Sequence, residues 1–496
     1  MGLRLPEKLY SAEQVRELDR IAIEDLGILG YTLMTRAAEF SYACLKNRWP
    51  EARSITVVCG GGNNAGDGYV LAGLAREDGK QVNVLYLIDP DTLKDDATTA
   101  YKYLLASNIT PIQFTETALK ETDADVVVDA IFGTGLDRDV EGPFYDAIEA
   151  INDMGTQVLS IDIPSGLNAN TGHMMNIAVK ANITTTFIGL KKGMFTGDGL
   201  EYSGSIKFND LDVPPETYKR LGEFSASRLI YENLQKYLKP RKRNSHKGNF
   251  GHVLVIGGDR GYIGAARMAA EAAARVGAGL VSIATRASHA SVLSLVRPEI
   301  MSHGIESPDE LTHLIHHADV IAIGPGLGHT EWAKQMFMAA IKSELPLVID
   351  ADALTLLAEV RQTSKDWVIT PHPGEASKLL SSDSKTIQMN RYQAMIDLKV
   401  NFQGPVVLKG SGSLVADRAG HTFVCDAGNP GMSSGGMGDV LTGVIASLIA
   451  QGIDVDTATK LGVCLHAQAA DRAASSGERG LLALDLMPHL RNLVNP

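Results

Sequence analysis

The sequence predicts an α/β protein of two domains, each built on a largely parallel sheet. Three observations carry this. Short runs that are apolar throughout alternate with helix-length segments, and strands buried on both faces mean parallel sheets covered by helices. Many of these runs end in a glycine-bearing turn with an acid or hydroxyl, where ligands bind parallel sheets. The length, 496 residues, exceeds what one core usually holds.

Taken in order, Ser11 and Gln14 form a capping box that opens a helix to about Asp25, and Gly27 stops it. Residues 54–59 form a strand, residues 60–68 a glycine-rich loop, and residues 69–76 a helix. Further strands are expected at 81–88, 125–130 and 157–162. Paired prolines and mixed polarity make residues 212–222 the best linker, giving domains 1–220 and 226–496. A second strand series follows at 252–257, 280–284, 320–323, 347–349, 367–370 and 406–409.

Hydrophobic content of 45% and charged content of 21% are those of a globular protein. A net charge of −12 argues against nucleic acid and anionic membrane as main partners, while leaving room for phosphate bound by backbone amides. The basic cluster at 239–247 is read as a solvated loop. Four cysteines without a C-x-x-C spacing are expected to be reduced thiols in a cytoplasmic protein. The first residues lack a secretory h-region, Pro6 breaks a myristoylation pattern, and no apolar run reaches the ~18 residues of a membrane span.

The most informative stretch is Asn429 to Asp439 followed by an apolar helix. Unpaired N–H groups at a helix start attract phosphate, and Gly435, Gly436 and Gly438 let an anion approach the main chain. Asp439 repels phosphate, so its placement suggests a general base aimed at a substrate hydroxyl; the plainer alternative is a residue complementing the helix dipole.

In the first half, three strand ends carry acids and glycines: Gly60 to Gly68, Asp129 to Gly135, and Asp162 to Gly166. Gly60, Gly62 and Ala65 formally match a dinucleotide fingerprint, with Asp89 as its ribose acid. Asn63, Asn64 and Asp67 exceed what a pyrophosphate turn needs and suit a sugar or a monovalent cation.

These motifs resemble the YjeF-type NAD(P)H-hydrate epimerase domain over about residues 1–220, a Rossmann-like doubly wound sheet, with Ala65 where the family usually has glycine. The resemblance implies K+ held by Asn64, Asp129 and Ser165. It implies hydrated cofactor held by Asn63, Asn64, Ala65, Gly66, Asp67, Gly133, Thr134, Gly135, Leu136, Asp137, Arg138, Asp139 and Asp162. Epimerisation at ring carbon 6, by ring opening or loss of water, needs proton transfer and a stabilised cation. Asp129 and Asp162 are the candidates, and Asp162 is the freer if Asp129 binds metal. Lys191 and Lys192, just past a strand, are read as exposed lysines, with contact to the cofactor phosphates as the alternative.

In the second half, the loops at 257–264, 324–328, 350–352, 370–375, 409–413 and 435–439 resemble a ribokinase-like α/β/α fold, closely the ADP-dependent NAD(P)H-hydrate dehydratase, over 226–496. The resemblance implies that Ala265, Gly328, His372 and Asp439 contact the hydrate, and that Lys409, Gly410, Ser411, Gly412, Ser413 and Gly438 hold the adenine nucleotide. Prolines flanking His372 stiffen its loop. Asp439 would deprotonate the C6 hydroxyl, which attacks the terminal phosphate of ADP. Amides at 436–438 and Mg2+ would hold the phosphoryl group, with Glu375 on a metal-bound water. The ester then eliminates to NAD(P)H, with AMP and phosphate. The expected enzyme is thus a bifunctional isomerase and lyase acting on NADHX and NADPHX, and a homo-oligomer. The alternatives are a small-molecule kinase with a fused ligand-binding domain, a nucleotide sensor, and, for residues 60–89, a dehydrogenase.

Overall fold

A computed structural model describes residues 5–496, in two compact units that divide after Ser227. In the first unit, strands β1 (Ser54–Cys59), β2 (Gln81–Tyr86), β3 (Ile112–Gln113), β4 (Val126–Ala130), β5 (Gln157–Ile161), β6 (Ile183–Phe187) and β7 (Ser205–Asn209) form one sheet. Their order is β3-β2-β1-β4-β5-β6-β7, and all neighbours are parallel. Strands β1, β4 and β6 are buried end to end, as apolar runs covered on both faces must be. Helices Gly30–Arg48, Asn63–Glu77 and Asp95–Ala106 pack on one face; Glu116–Glu121 and Pro143–Asp153 pack on the other. The order reverses between β1 and β4, which opens a crevice beyond their carboxyl ends.

Three local expectations need correction. The helix after β1 starts at Asn63, not near Tyr69, so the loop shrinks to Gly60–Gly62. Packing overrides the weak helix propensity of Asn and Gly here, since Asn64, Ala65 and Gly66 are already buried. The capping box of Ser11 and Gln14 forms, but the α-helix ends at Arg20 and widens into a π turn over Ile21–Asp25. Residues 212–222 are no open linker: Pro215–Leu221 is a helix, and the Tyr218 hydroxyl donates to the Ile188 carbonyl at 2.8 Å. A short strand, Lys8–Tyr10, pairs in parallel with Leu190–Lys191 and fixes the latter's position.

In the second unit, β8 (His252–Ile256), β9 (Leu280–Thr285), β10 (Met301–Gly304), β11 (Val320–Ile323), β12 (Leu347–Ile349), β13 (Trp367–Ile369), β14 (Val406–Leu408), β15 (Ser413–Ala416) and β16 (Thr422–Cys425) form a second sheet. Its order is β10-β9-β8-β11-β12-β13-β14-β15-β16, parallel up to β14 and antiparallel beyond it. The apolar helix Met437–Ala450 is buried along most of its length, against helices Ile263–Val276 and Val455–Ala473. Its start therefore lies among the carboxyl-end loops of the sheet.

Candidate active sites

The crevice of the first unit is a cavity of about 690 Å³. Asn63, Asn64, Asp67, Gly133, Thr134, Gly135, Leu136, Asp137, Arg138 and Asp162 line it. Ala65 and Gly66 do not: Ala65 is in the core, and Gly66 faces Met34 and Ala97, because the segment is helical. Asp139 is outside the lining, as is Asp89, whose exposed carboxylate instead accepts from the Asp91 N–H.

Asp162 closes β5 with φ at +71°, a left-handed conformation unusual for a residue with a Cβ. Its carboxylate accepts from the Thr134 N–H at 3.2 Å and pairs with the Lys191 ammonium. Lys191 corrects the expectation of an exposed lysine, for it is fully buried. Its other donors reach Thr186 Oγ1 at 2.8 Å and the Phe187 carbonyl at 3.2 Å. Two further acids complete the cluster. Burial, with Asp162 and Asp19 nearby, pushes Asp67 well up. Burial also pushes Asp19 up to about 7, against the pull of Lys191. Asp19 was missed in the sequence, although it interrupts an apolar helical stripe with Val15 and Ile23, four residues either side.

Asp129 and Ser165 lie behind the lining. Asp129 is wholly buried and accepts from Ser165 Oγ at 2.5 Å, the Ser165 N–H at 2.9 Å and Ser160 Oγ at 2.8 Å. Burial raises its carboxyl, while these hydrogen bonds oppose the rise. Asn64 is buried with neither amide atom hydrogen-bonded. A buried amide oxygen with no hydrogen-bond donor is the kind of hard oxygen ligand that K+ takes, as are the Asp129 carboxylate and the Ser165 hydroxyl.

In the second unit, Gly436 caps helix Met437–Ala450 at φ +95°, and Asp439 sits in the first turn, where the sequence placed it. Beneath it lies a charge cluster. Lys409 Nζ is 2.6 Å from Asp350 Oδ1 and 3.6 Å from Glu375 Oε2, and Thr442 Oγ1 donates to Asp350 Oδ2 at 2.8 Å. Burial disfavours the Asp350 charge, but Lys409 and the hydrogen bonds hold its carboxyl below the usual range. Burial pushes Asp439 up to about 7, Asp350 adds to this, and Lys409 opposes it. Burial also raises Glu375.

Gly438 packs directly on this cluster: a Cβ there would lie 3.1 Å from Lys409 Nζ. Lys409 to Ser413 makes the turn from β14 to β15, with Gly410 at φ +144° and Gly412 at φ +62°. The Ser413 hydroxyl closes the turn through the Gly410 N–H and carbonyl, and the buried Arg391 guanidinium supports it by donating to the Leu408 and Lys409 carbonyls. Ser411 lies in the same turn.

His372 caps helix Pro373–Leu380: its Nδ1 accepts from the Gly374 N–H at 2.9 Å, and Nε2 is 3.4 Å from Glu375. Its side chain is 56% exposed, which leaves its outer edge open to a ligand. Gly328, at φ +71°, donates its N–H to Asp352 at 2.8 Å and lines a cavity of about 430 Å³ with Asp259, Arg286, Thr330 and Asp352. Ala265, in the first turn of its helix, borders the same loop through Gly326. Among the described residues, no group of three or more His, Cys, Asp or Glu is arranged to hold a metal ion, and no helix is long and apolar enough to cross a membrane.

An acid cluster at the switch point of one parallel sheet, and an acid at the glycine-capped helix start of another, define a two-site enzyme of phosphate-bearing small molecules. The YjeF-related protein N-terminus model matches residues 30–193, and the NAD(P)H-hydrate dehydratase model matches residues 253–492. A bifunctional NAD(P)H-hydrate repair enzyme of Coxiella burnetii is 48% identical over 98% of this chain and 99% of its own length. One from Escherichia coli is 39% identical over 99% of this chain and 95% of its own. The crystal structure of a hypothetical protein from Streptococcus mutans superposes on 54% of this chain and 98% of its own, at 30% identity and a TM-score of 0.50. The chain belongs to the family of bifunctional NAD(P)H-hydrate repair enzymes.

Proposed function

We propose that the first unit interconverts the R and S hydrates of NADH and NADPH, and that the second returns the S hydrate to NAD(P)H at the expense of ADP. The observation that carries this is Asp439: a carboxyl that burial pushes up to about 7, in the first turn of a glycine-capped helix. Asp439 takes the proton of the C6 hydroxyl, and the resulting alkoxide attacks the terminal phosphorus of ADP, displacing AMP. The phosphate ester then leaves with the C6–O electron pair, and loss of the neighbouring C5 proton restores the dihydronicotinamide double bond. The amides at 436–438 hold the phosphoryl oxygens throughout. Lys409 supplies positive charge beneath Gly438, and the turn 409–413 cradles the nucleotide. Glu375 faces this site and is suited to a metal-bound water. Mg2+, if bound there, would supply positive charge against the transferring phosphoryl group.

In the first unit, Asp162 and the segment 133–138 hold the hydrated ring and its phosphates. Asn64, Asp129 and Ser165 would hold K+, which would supply a fixed positive charge to the site. Reduced-cofactor chemistry and four free cysteines suit a cytoplasmic setting.

The test is to supply chemically hydrated NADH, both epimers, with Mg2+ and either ADP or ATP. The expected outcome is recovery of reduced-nicotinamide absorbance with stoichiometric AMP and phosphate from ADP. A stable phosphorylated product would mark a kinase instead. Asp439→Asn should bind nucleotide and not turn over; unimpaired turnover would refute the assignment.

A further inference from the structure

We propose that Asp19 is a catalytic proton donor and acceptor of the first site, working opposite the immobilised Asp162. The proposal rests on the reading of that cavity as the hydrate site. Asp19 belongs to helix Ala12–Arg20, whose buried residues Ala12, Val15 and Leu18 pack against the core. Val15, Asp19 and Ile23 all line the cavity, and a spacing of four puts them on one stripe of the helical turn. A carboxyl in an apolar stripe loses solvation and needs a compensating role. Here no described residue hydrogen-bonds it, which separates it from Asp162, whose oxygens are taken by Lys191 and the Thr134 N–H.

The division of labour follows from these partners. Lys191 spends its donors on Asp162, Thr186 and Phe187, so it pins the Asp162 carboxylate in place. Asp162 is then suited to stabilising a ring cation rather than to trading protons. The groups facing Asp19 are Lys191 and Asp162 at the sheet ends, Asp67 on helix Asn63–Glu77, Tyr218 on helix Pro215–Leu221, and Arg16 on its own helix. Burial pushes the Asp19 carboxyl up to about 7, which suits a group that must both give and take a proton.

The step balances as follows. Protonated Asp19 donates to the C6 hydroxyl oxygen; the C6–O bond breaks, and its electron pair leaves with water. The N1 lone pair forms the C6=N1 cation, held by the Asp162 carboxylate. Water adds to the opposite face, its oxygen lone pair closing the new C6–O bond, and its surplus proton passes through solvent water back to the Asp19 carboxylate.

The experiment uses the full chain with the R epimer of hydrated NADH, saturating nucleotide and Mg2+, and subtracts enzyme-free interconversion. Asp19→Asn should slow R-epimer conversion on the order of 100-fold, in kcat rather than KM, with S-epimer consumption unchanged. Asp19→Glu should recover part of the loss. The wild-type rate should fall as pH rises through about 7, because the protonated acid is the active form; the residual rate of Asp19→Asn should lack that limb. Conversion by Asp19→Asn within about threefold of wild type, or a loss confined to KM, would overturn the proposal. A wild-type chain that leaves the R epimer untouched would sink the reading of the cavity itself.

Discussion

Single side chains set the chemistry through their surroundings. Asp439 works as a base only when deprotonated, and its carboxyl is pushed up to about 7. S-hydrate dehydration should therefore rise with pH through about 7 and level off above it, as initial rates under saturating nucleotide would show. Lys191 offers a second prediction. Lys191→Met strands Asp162 without its cation, and removing one partner of a buried pair costs about 3 kcal/mol. Urea unfolding of the first unit should register that loss, and adding Asp162→Asn should restore part of it. The positions of Asp439 and Asp162 were legible in the sequence because Asp162 ends an apolar run and Asp439 opens one, each near glycines. Lys191 was not, because burial comes from its pairing with Tyr10, about 180 residues away in the chain. Asp350 was seen only as a strand end; its bond to Lys409 depends on which loops the sheet order brings together.

At the scale of an element, the start of helix Met437–Ala450 separates two effects of glycine. Gly436 has φ +95°, and an added Cβ would meet Met268 Sδ at 2.5 Å. Gly436→Ala should cost about 1–2 kcal/mol through backbone strain alone, seen as a lower unfolding temperature of the second unit. Gly438 is helical, so alanine strains no backbone there, but its Cβ would press on Lys409 at 3.1 Å. Gly438→Ala should leave the melting temperature nearly unchanged and lower dehydratase kcat; the reverse pattern would contradict the geometry. The neighbouring case of Asn63–Glu77 shows where local reading stops. Gly-Gly-Gly-Asn-Asn signals a loop on propensity, but burial of Asn64 and Ala65 against the sheet starts the helix there.

At the scale of the molecule, each unit has its own core and its own candidate site. The two activities should then fail separately. With both hydrate epimers supplied, Asp162→Asn should consume the S form at the wild-type rate and leave R to spontaneous interconversion. Asp439→Asn should interconvert the epimers and consume neither. Epimer-resolved chromatography reads both. The two parallel sheets were legible because strands covered on both faces are apolar throughout, whereas the extent of the first unit was obscured by paired prolines that in fact begin a helix, Pro215–Leu221.

The central claim is that the C6 hydroxyl itself is phosphorylated at the start of helix Met437–Ala450 before it leaves. Hydrated NADH carrying oxygen-18 in that hydroxyl tests it directly, by mass spectrometry of the products after dehydration with ADP. The account predicts the label in inorganic phosphate. Label released into water, with unlabelled phosphate, would contradict it.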